Sequence, residues 1–240
     1  MTTKVLGKEV KSYSKGSFKT LDPIDRGHRP NQNGVDYWNG YEFTFLDKNK
    51  NPTLKVLEIQ IPATSKFTVE SKSLKIYLNS FYNKKFNKDS EALVKIKKDL
   101  SRLCKSDVKA KFISKFNNAP ESILLNTLKT TNTKPNKVYC FAGFRSICPV
   151  TSQPDFANIY FIANNALNIS WLTKYFKSYR ERGDFHEHCV ESMFQDIKKE
   201  FGCTSLEVSG RFMRRGGIDI NPTRSSSKKL LFKNFRFFNQ

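Results

Sequence analysis

The chain predicts an α+β fold built from two copies of one module, a β-hairpin with two helices. Three observations carry that prediction. The order of elements read along the first half repeats in the second. Tyr77-Leu78-Asn79-Ser80-Phe81 and Tyr175-Phe176-Lys177-Ser178-Tyr179 lie 98 residues apart, each followed within six residues by a Phe (Phe86, Phe185), a faint internal repeat. The 240 residues, 38% of them hydrophobic, suffice for two modules of about 100 residues each.

In chain order, residues 1–33 read as a mobile or wrapping arm. They are rich in Lys, Ser and Gly and end in the turn-forming cluster Arg29-Pro30-Asn31-Gln32-Asn33-Gly34. Tyr37 to Leu46 and Leu54 to Ile61 alternate as two strands of a hairpin across the polar Asp47-Lys48-Asn49-Lys50-Asn51-Pro52. Leu74 to Phe81 and Ser90 to Leu103 have helical spacing, with Leu93, Ile96, Leu100 and Leu103 on one stripe. Ser90 is the expected N-cap, with Leu93 and Val94 opening the apolar face. Val108 to Phe116 reads as a strand, which completes a first module over 34–120. Residues 121–137 read as the linker, and a second module spans 138–240. In it, Ile159 to Ile162 is a strand, Ile169 to Tyr179 a helix, and His186 to Phe201 a longer helix with Val190, Met193, Phe194 and Ile197 apolar. Gly202 is its C-cap, and Leu206 to Met213 alternates as a strand.

Composition excludes several classes. No run of about 18 apolar residues exists, so no membrane helix is expected. Met1 to Lys8 has no apolar core and predicts no secretory signal. The five cysteines are odd in number and lack Cys-x-x-Cys spacing, which points to free thiols in a reducing cytoplasm. The net charge of +20 raises the question of nucleic acid. Yet most of the 42 basic residues are Lys, spread along the whole chain in pairs such as Lys84-Lys85 and Lys198-Lys199. A footprint requires the charge to collect on one surface, so no direct nucleic-acid binding is predicted. A positive field of this kind steers anionic ligands instead.

The most informative segment is Phe144-Arg145-Ser146-Ile147-Cys148-Pro149-Val150-Thr151-Ser152-Gln153-Pro154-Asp155. It sets a thiol seven residues from a carboxylate, with prolines that break any helix. The carboxylate can fold back over the thiol, giving a nucleophile beside a proton donor. Taken alone, the same spacing also fits a small buried hydrophobe.

Three further segments accompany it: Val69-Glu70-Ser71-Lys72-Ser73, Phe185-His186-Glu187-His188-Cys189, and Arg214-Arg215-Gly216-Gly217-Ile218-Asp219. With Gly34-Val35-Asp36-Tyr37-Trp38-Asn39-Gly40 near the start, they resemble the NADPH-dependent 7-cyano-7-deazaguanine reductases, the nitrile reductases of queuosine biosynthesis, in their two-module form. The resemblance covers residues 34 to 226. It implies tandem tunnelling-fold modules, which join strands into a barrel with active sites at module interfaces, and a homodimer. It also implies 7-cyano-7-deazaguanine as substrate and NADPH as reductant.

Residue by residue, the resemblance implies that Cys148 attacks the nitrile and Asp155 protonates it. Val69, Glu70, Ser71, His186 and Glu187 would contact the deazaguanine. Ser71, Lys72, Arg215 and Gly216 would contact NADPH. The plain readings are that Glu70 is surface charge, that His186 and Glu187 open a helix, and that Arg215-Gly216 is a basic turn. No Gly-x-Gly-x-x-Gly follows a strand, so a Rossmann site is not indicated. His186 and Cys189 have metal-ligand spacing on a helix, but without a paired Cys pattern no metal is predicted, although some tunnelling-fold relatives use zinc.

The chain departs from the family pattern in three places. Phe156 stands where many members carry Trp. The stretch between residues 104 and 145 is short. The tail from Lys228 to Phe238 is basic and aromatic, and is expected to pack on a neighbouring subunit or to fray. Two other classes compete: an amidine-forming transferase of the same superfamily acting on the nitrile base in tRNA, and a non-catalytic basic binding protein. The first needs no NADPH contacts, and the second needs neither Cys148 nor Asp155.

Overall fold

The computed structural model describes residues 17–27 and 33–240. They form a mixed α+β structure that divides into two compact units. The first holds residues 17–27, Tyr37–Lys115 and Arg215–Asp219, and the second holds 33–36, Phe116–Arg214 and Ile220–Gln240. The expected arm thus lies partly outside the described residues. Its remainder is ordered structure of the first unit: a short 3-10 helix, Phe18–Thr20, capped by Ser17, and strand β1, Pro23–Asp25.

In the first unit, β2 (Asn33–Leu46, from residue 37 onward) and β3 (Pro52–Pro62) are neighbours in the expected hairpin. The Asp47 carboxylate closes its turn by accepting from the Asn49 and Asn51 backbone N–H groups, both at 2.8 Å. Strand β4, Phe67–Val69, pairs antiparallel with β1, setting Val69 opposite Pro23. Helices α1 (Ser71–Asn79) and α2 (Asp89–Cys104) follow, and then β5 (Lys109–Ile113), antiparallel to β3. The N-cap of α2 is Lys88, not Ser90, and it makes no side-chain cap. Val94 is 66% exposed, so the apolar stripe is Ala92, Ile96, Leu100 and Leu103. The aromatic residues supply much of the packing, with Phe43 against Phe81 and Phe112, and Phe45 against Phe86.

The second unit begins earlier than expected, because the predicted linker belongs to it. That segment carries β6 (Ile123–Leu124) and a 3-10 turn over Leu125–Thr127. Strand β7, Tyr139–Ile147, has no counterpart in the sequence reading. Strand β8 runs over Pro154–Ala163 and not merely 159–162. Helices α3 (Ile169–Lys177) and α4 (His186–Phe201) precede β9 (Leu206–Phe212) and β10 (Ile218–Ser225). Strands β6 to β10 are adjacent in sequence order, and α4 packs on β9. Gly202 ends α4 at φ 60°, the left-handed conformation that a residue without Cβ adopts at least cost.

The repeat holds in detail. Each unit presents a hairpin, a nine-residue helix and a sixteen-residue helix. Tyr77 donates to Asp99 at 2.7 Å in one, and Tyr175 donates to Asp196 at 2.5 Å in the other. Ser80 and Ser178 end the short helices alike, their hydroxyls donating to the Tyr77 and Tyr175 carbonyls at 2.6 and 2.7 Å.

The tail makes contacts within its own unit. Glu207 accepts from the Leu231 and Phe232 N–H groups at 3.1 and 2.6 Å. The Arg211 guanidinium lies 3.9 Å from the Phe235 ring centre and donates to the Lys233 carbonyl at 2.8 Å. Beneath the strands, fully buried Arg224 binds Asp36 at 2.6 Å and Glu191 at 2.7 Å. Among the described residues, no helix is long and apolar enough to cross a membrane, which leaves β-barrel spans unaddressed.

Candidate active site

Cys148 is the residue that follows β7, at the mouth of a tight return into β8. Its N–H donates to the Gln153 carbonyl at 2.9 Å, and its carbonyl accepts from Ser152 at 3.0 Å. The hairpin register pairs Ser146 with Asp155 and Ile147 with Pro154. Cys148 directly follows the last residue of β7, and the hairpin return brings it close enough to Asp155 for the carboxylate's charge to raise its pKa. The anticipated fold-back of carboxylate over thiol is therefore a β-hairpin. Asp155 is buried, while Pro154 and Phe156 beside it are exposed.

All five cysteines are free, and Cys148 alone is not buried. Burial raises its pKa, as does the charge of Asp155. Hydrogen bonds from the Thr151 side chain and from the Thr151 and Val150 backbone outweigh both, so the pKa falls below that of an ordinary thiol. Donors aimed at sulfur stabilise the thiolate, which is the nucleophilic form. Cys140 goes the other way, pushed up to about 11 by desolvation, and burial drives Cys189 higher still.

The loop before α4 runs beside the end of β7. Ile147 N–H donates to the Arg182 carbonyl at 3.0 Å, and Asp184 N–H donates to the Ile147 carbonyl at 3.0 Å. This fixes the start of α4, where His186 and Glu187 stand. His186 Nε2 is 3.2 Å from Asp155 Oδ2. The imidazole lies flat on Phe212, 3.9 Å between ring centres and 6° between planes. Its Nδ1 is buried with no hydrogen-bond partner, so it stands available to a ligand. Glu187 is buried beside it in α4. Of the sequence-predicted residues in the second unit, Cys148, Asp155 and His186 come together, and Glu187 is the next residue of α4.

The other predicted residues belong to the first unit. Glu70 is the N-cap of α1 and 1% exposed, not surface charge. Its carboxylate accepts from Lys72 N–H at 2.8 Å and Ser73 N–H at 2.6 Å, one to each oxygen. Oε1 also accepts from the Ser71 hydroxyl at 3.4 Å, and Oε2 keeps a second lone pair for another donor. Val69 is buried in β4, and Ser71 and Lys72 form the first turn of α1.

Arg215 and Gly216 also belong here, not to the second module as the sequence reading had it. Arg215 N–H donates to the Ile218 carbonyl at 2.8 Å, closing a two-residue turn through Gly216 and Gly217, whose φ angles are 59° and 77°. Paired left-handed residues are the requirement of a type I′ hairpin, which Gly-Gly meets. A Cβ on Gly216 would lie 3.4 Å from Lys75 Nζ. Lys75 is a cation that the sequence reading passed over. Main chain without a side chain, flanked by Lys75 and Arg215, is a surface that a phosphate can approach closely.

Among the described residues no group of three or more His, Cys, Asp or Glu is arranged to hold a metal.

Residues 19–112 match the family described as nitrile reductase, 7-cyano-7-deazaguanine reductase N-terminal, and residues 154–230 match the family described as QueF-like protein. A Desulfotalea psychrophila protein named NADPH-dependent 7-cyano-7-deazaguanine reductase is 36% identical, the match covering 80% of this chain and 78% of that one. Proteins of the same name from Coxiella burnetii and Xylella fastidiosa are 35% and 34% identical, over 92% and 81% of this chain and 87% and 79% of theirs. Two family matches in register with the two units, and identity of this extent across both, show that the chain belongs to the NADPH-dependent 7-cyano-7-deazaguanine reductases.

Proposed function

We propose that the chain reduces the nitrile of 7-cyano-7-deazaguanine to the primary amine, 7-aminomethyl-7-deazaguanine, consuming two NADPH, in queuosine biosynthesis. The observation that carries the reading is the end of the β7–β8 hairpin, where a partly buried thiol of lowered pKa lies within the field of a buried carboxylate held 3.2 Å from His186.

The Cys148 thiolate adds to the nitrile carbon, and the nitrile nitrogen takes a proton from Asp155. The product of this step is a thioimide joined to the protein. His186 reprotonates Asp155 through Nε2. NADPH, when bound, supplies one hydride to the thioimide carbon and a second NADPH supplies one to the imine that follows. Between the two, the C–S bond breaks and Cys148 leaves as the thiolate, so the carbon stays doubly bonded to nitrogen. After the second hydride the nitrogen takes its second proton from the reprotonated Asp155 to become the primary amine. Covalent capture divides one hard reduction into smaller steps.

For recognition, Glu70 and Glu187 are assigned to the amino-pyrimidinone edge, with Val69 and Ser71 beside Glu70. The buried, unpartnered Nδ1 of His186 supports a polar contact to the ring. The reductant's phosphates are assigned to Ser71, Lys72, Arg215 and Gly216, and the Gly216 approach beside Lys75 supports that fit. The hairpin and helix order of each unit supports the tunnelling fold, and with it a homodimer. Five free cysteines suit a reducing cytoplasm.

The test is to mix the purified chain with 7-cyano-7-deazaguanine and NADPH and follow absorbance at the nicotinamide band. Two NADPH oxidised per nitrile is the expected result. Intact mass with nitrile alone should show one adduct per chain, absent in Cys148→Ala. No oxidation and no adduct would overturn the reading.

A further inference from the structure

We propose that Gln240 is a positioning residue for the nitrile site, acting through Phe212 on His186. The proposal rests on the role given to His186 above. Phe212 is fully buried at the end of β9, and its ring is the platform on which the imidazole lies. Gly210 makes room for that ring, since a Cβ there would lie 2.7 Å from Phe212 Cε2 and 2.8 Å from Val190 Cγ2.

The main chain of Phe212 is held at both ends by two side chains. Its N–H donates to Asn221 Oδ1 at 3.1 Å. Its carbonyl accepts from Gln240 Nε2 at 2.8 Å, and the same amide nitrogen donates to Asn221 Oδ1 at 2.8 Å. Gln240 Oε1 in turn accepts from Phe237 N–H at 2.7 Å. Gln240 is 6% exposed and Asn221 fully buried, so these bonds are shielded from competing water.

The chemistry requires a glutamine. Both N–H groups of its amide meet acceptors, which a carboxylate of the same shape would face with no proton to give. The strap that delivers Gln240 is fixed upstream by Glu207 and Arg211. With Nε2 set by Asp155 and one ring face set by Phe212, His186 has a single orientation in which Nδ1 is presented. Gln240 therefore acts on substrate alignment and not on reductant binding.

The experiment compares the full chain with Gln240→Glu, Gln240→Ala and His186→Ala. Three quantities are read: melting temperature, the ring-current shift of the His186 proton resonances in the free protein, and the nitrile concentration that half-saturates adduct formation. Gln240→Glu should remain folded, move the His186 resonances, raise the half-saturating nitrile concentration about tenfold, as misalignment by a fraction of an ångström does, and leave the NADPH Michaelis constant within twofold. Gln240→Ala removes the donors without adding charge, and should give the same pattern at smaller amplitude even if the Glu variant does not fold. Unmoved His186 resonances with unchanged nitrile saturation would overturn the proposal, and so would a lowered melting temperature as the sole effect. If His186→Ala saturates like the parent, the reading of the site fails instead.

Discussion

His186 Nε2 approaches Asp155 Oδ2 to 3.2 Å across the gap between the start of α4 and the second residue of β8. Under the proposed mechanism, this contact would let His186 return a proton to Asp155. It also makes the two residues separable by experiment, because only Asp155 bears on the charge at Cys148.

Asp155→Asn should still bind the nitrile but turn over about a hundredfold more slowly or worse, the usual scale of general acid catalysis. The Asp155 charge raises the Cys148 pKa, so its removal should let the thiolate form at lower pH. Thiol alkylation against pH and steady-state turnover, measured on the same variant, should therefore move in opposite senses. Unimpaired turnover would remove Asp155 from the mechanism.

Thr151→Val should shift alkylation of Cys148 the other way. Thr151 donates to the thiolate, and that bond helps hold the pKa below the ordinary thiol value. The deprotonated form is present above the pKa and lost below it, so weakening the donor moves the rate profile to higher pH. At neutral pH both alkylation and thioimide formation should slow, and variant and parent should converge once the pH is high enough to ionise the thiol in both.

Arg215→Ala should raise the Michaelis constant for NADPH and leave thioimide formation intact, because the nitrile step precedes hydride transfer. Arg215 is partly exposed, so the NADPH preference should weaken with added salt. Loss of the adduct together with cofactor affinity would show that Arg215 holds the turn or the substrate.

Arg224→Met should be costly to stability and not to chemistry. It leaves Asp36 and Glu191 buried with no counter-ion from Arg224, and breaking such a pair costs about 3–5 kcal/mol. Urea unfolding should show that loss, with nitrile adduct formation by the remaining folded protein near that of the parent.

Much of the fold and part of the site is legible in the sequence. Helix α4 was read from residue 186 to 201 and Gly202 as its cap, because a long apolar stripe and a left-handed stop are local signals. Strand β7 was not, since Phe141-Ala142-Gly143-Phe144 breaks alternation where the pairing shifts register between Phe141 and Phe144. Val94 was misread because apolar residues adjacent in a helix point 100° apart and only one can face the core. Two of the three thiolate donors, the Val150 and Thr151 N–H groups, are main-chain groups, which no side-chain pattern reports. Phe212 under His186, and Lys75 beside Gly216, are pairs remote in sequence, and a single chain gives no spacing rule for either.

The Arg215–Ile218 turn has a consequence for how the protein is made. Residues 215–219 complete a unit whose other parts lie before residue 116. Synthesis runs from the N-terminus and contiguous domains fold as they emerge, but this unit must wait until residue 219 has left the ribosome. A nascent chain stopped at the linker carries Lys72 and Lys75 without Arg215, Gly216 or the Asp219 carboxylate to which Asn39 donates at 2.8 Å. A cut between the two units in sequence would therefore leave the first without its closing turn.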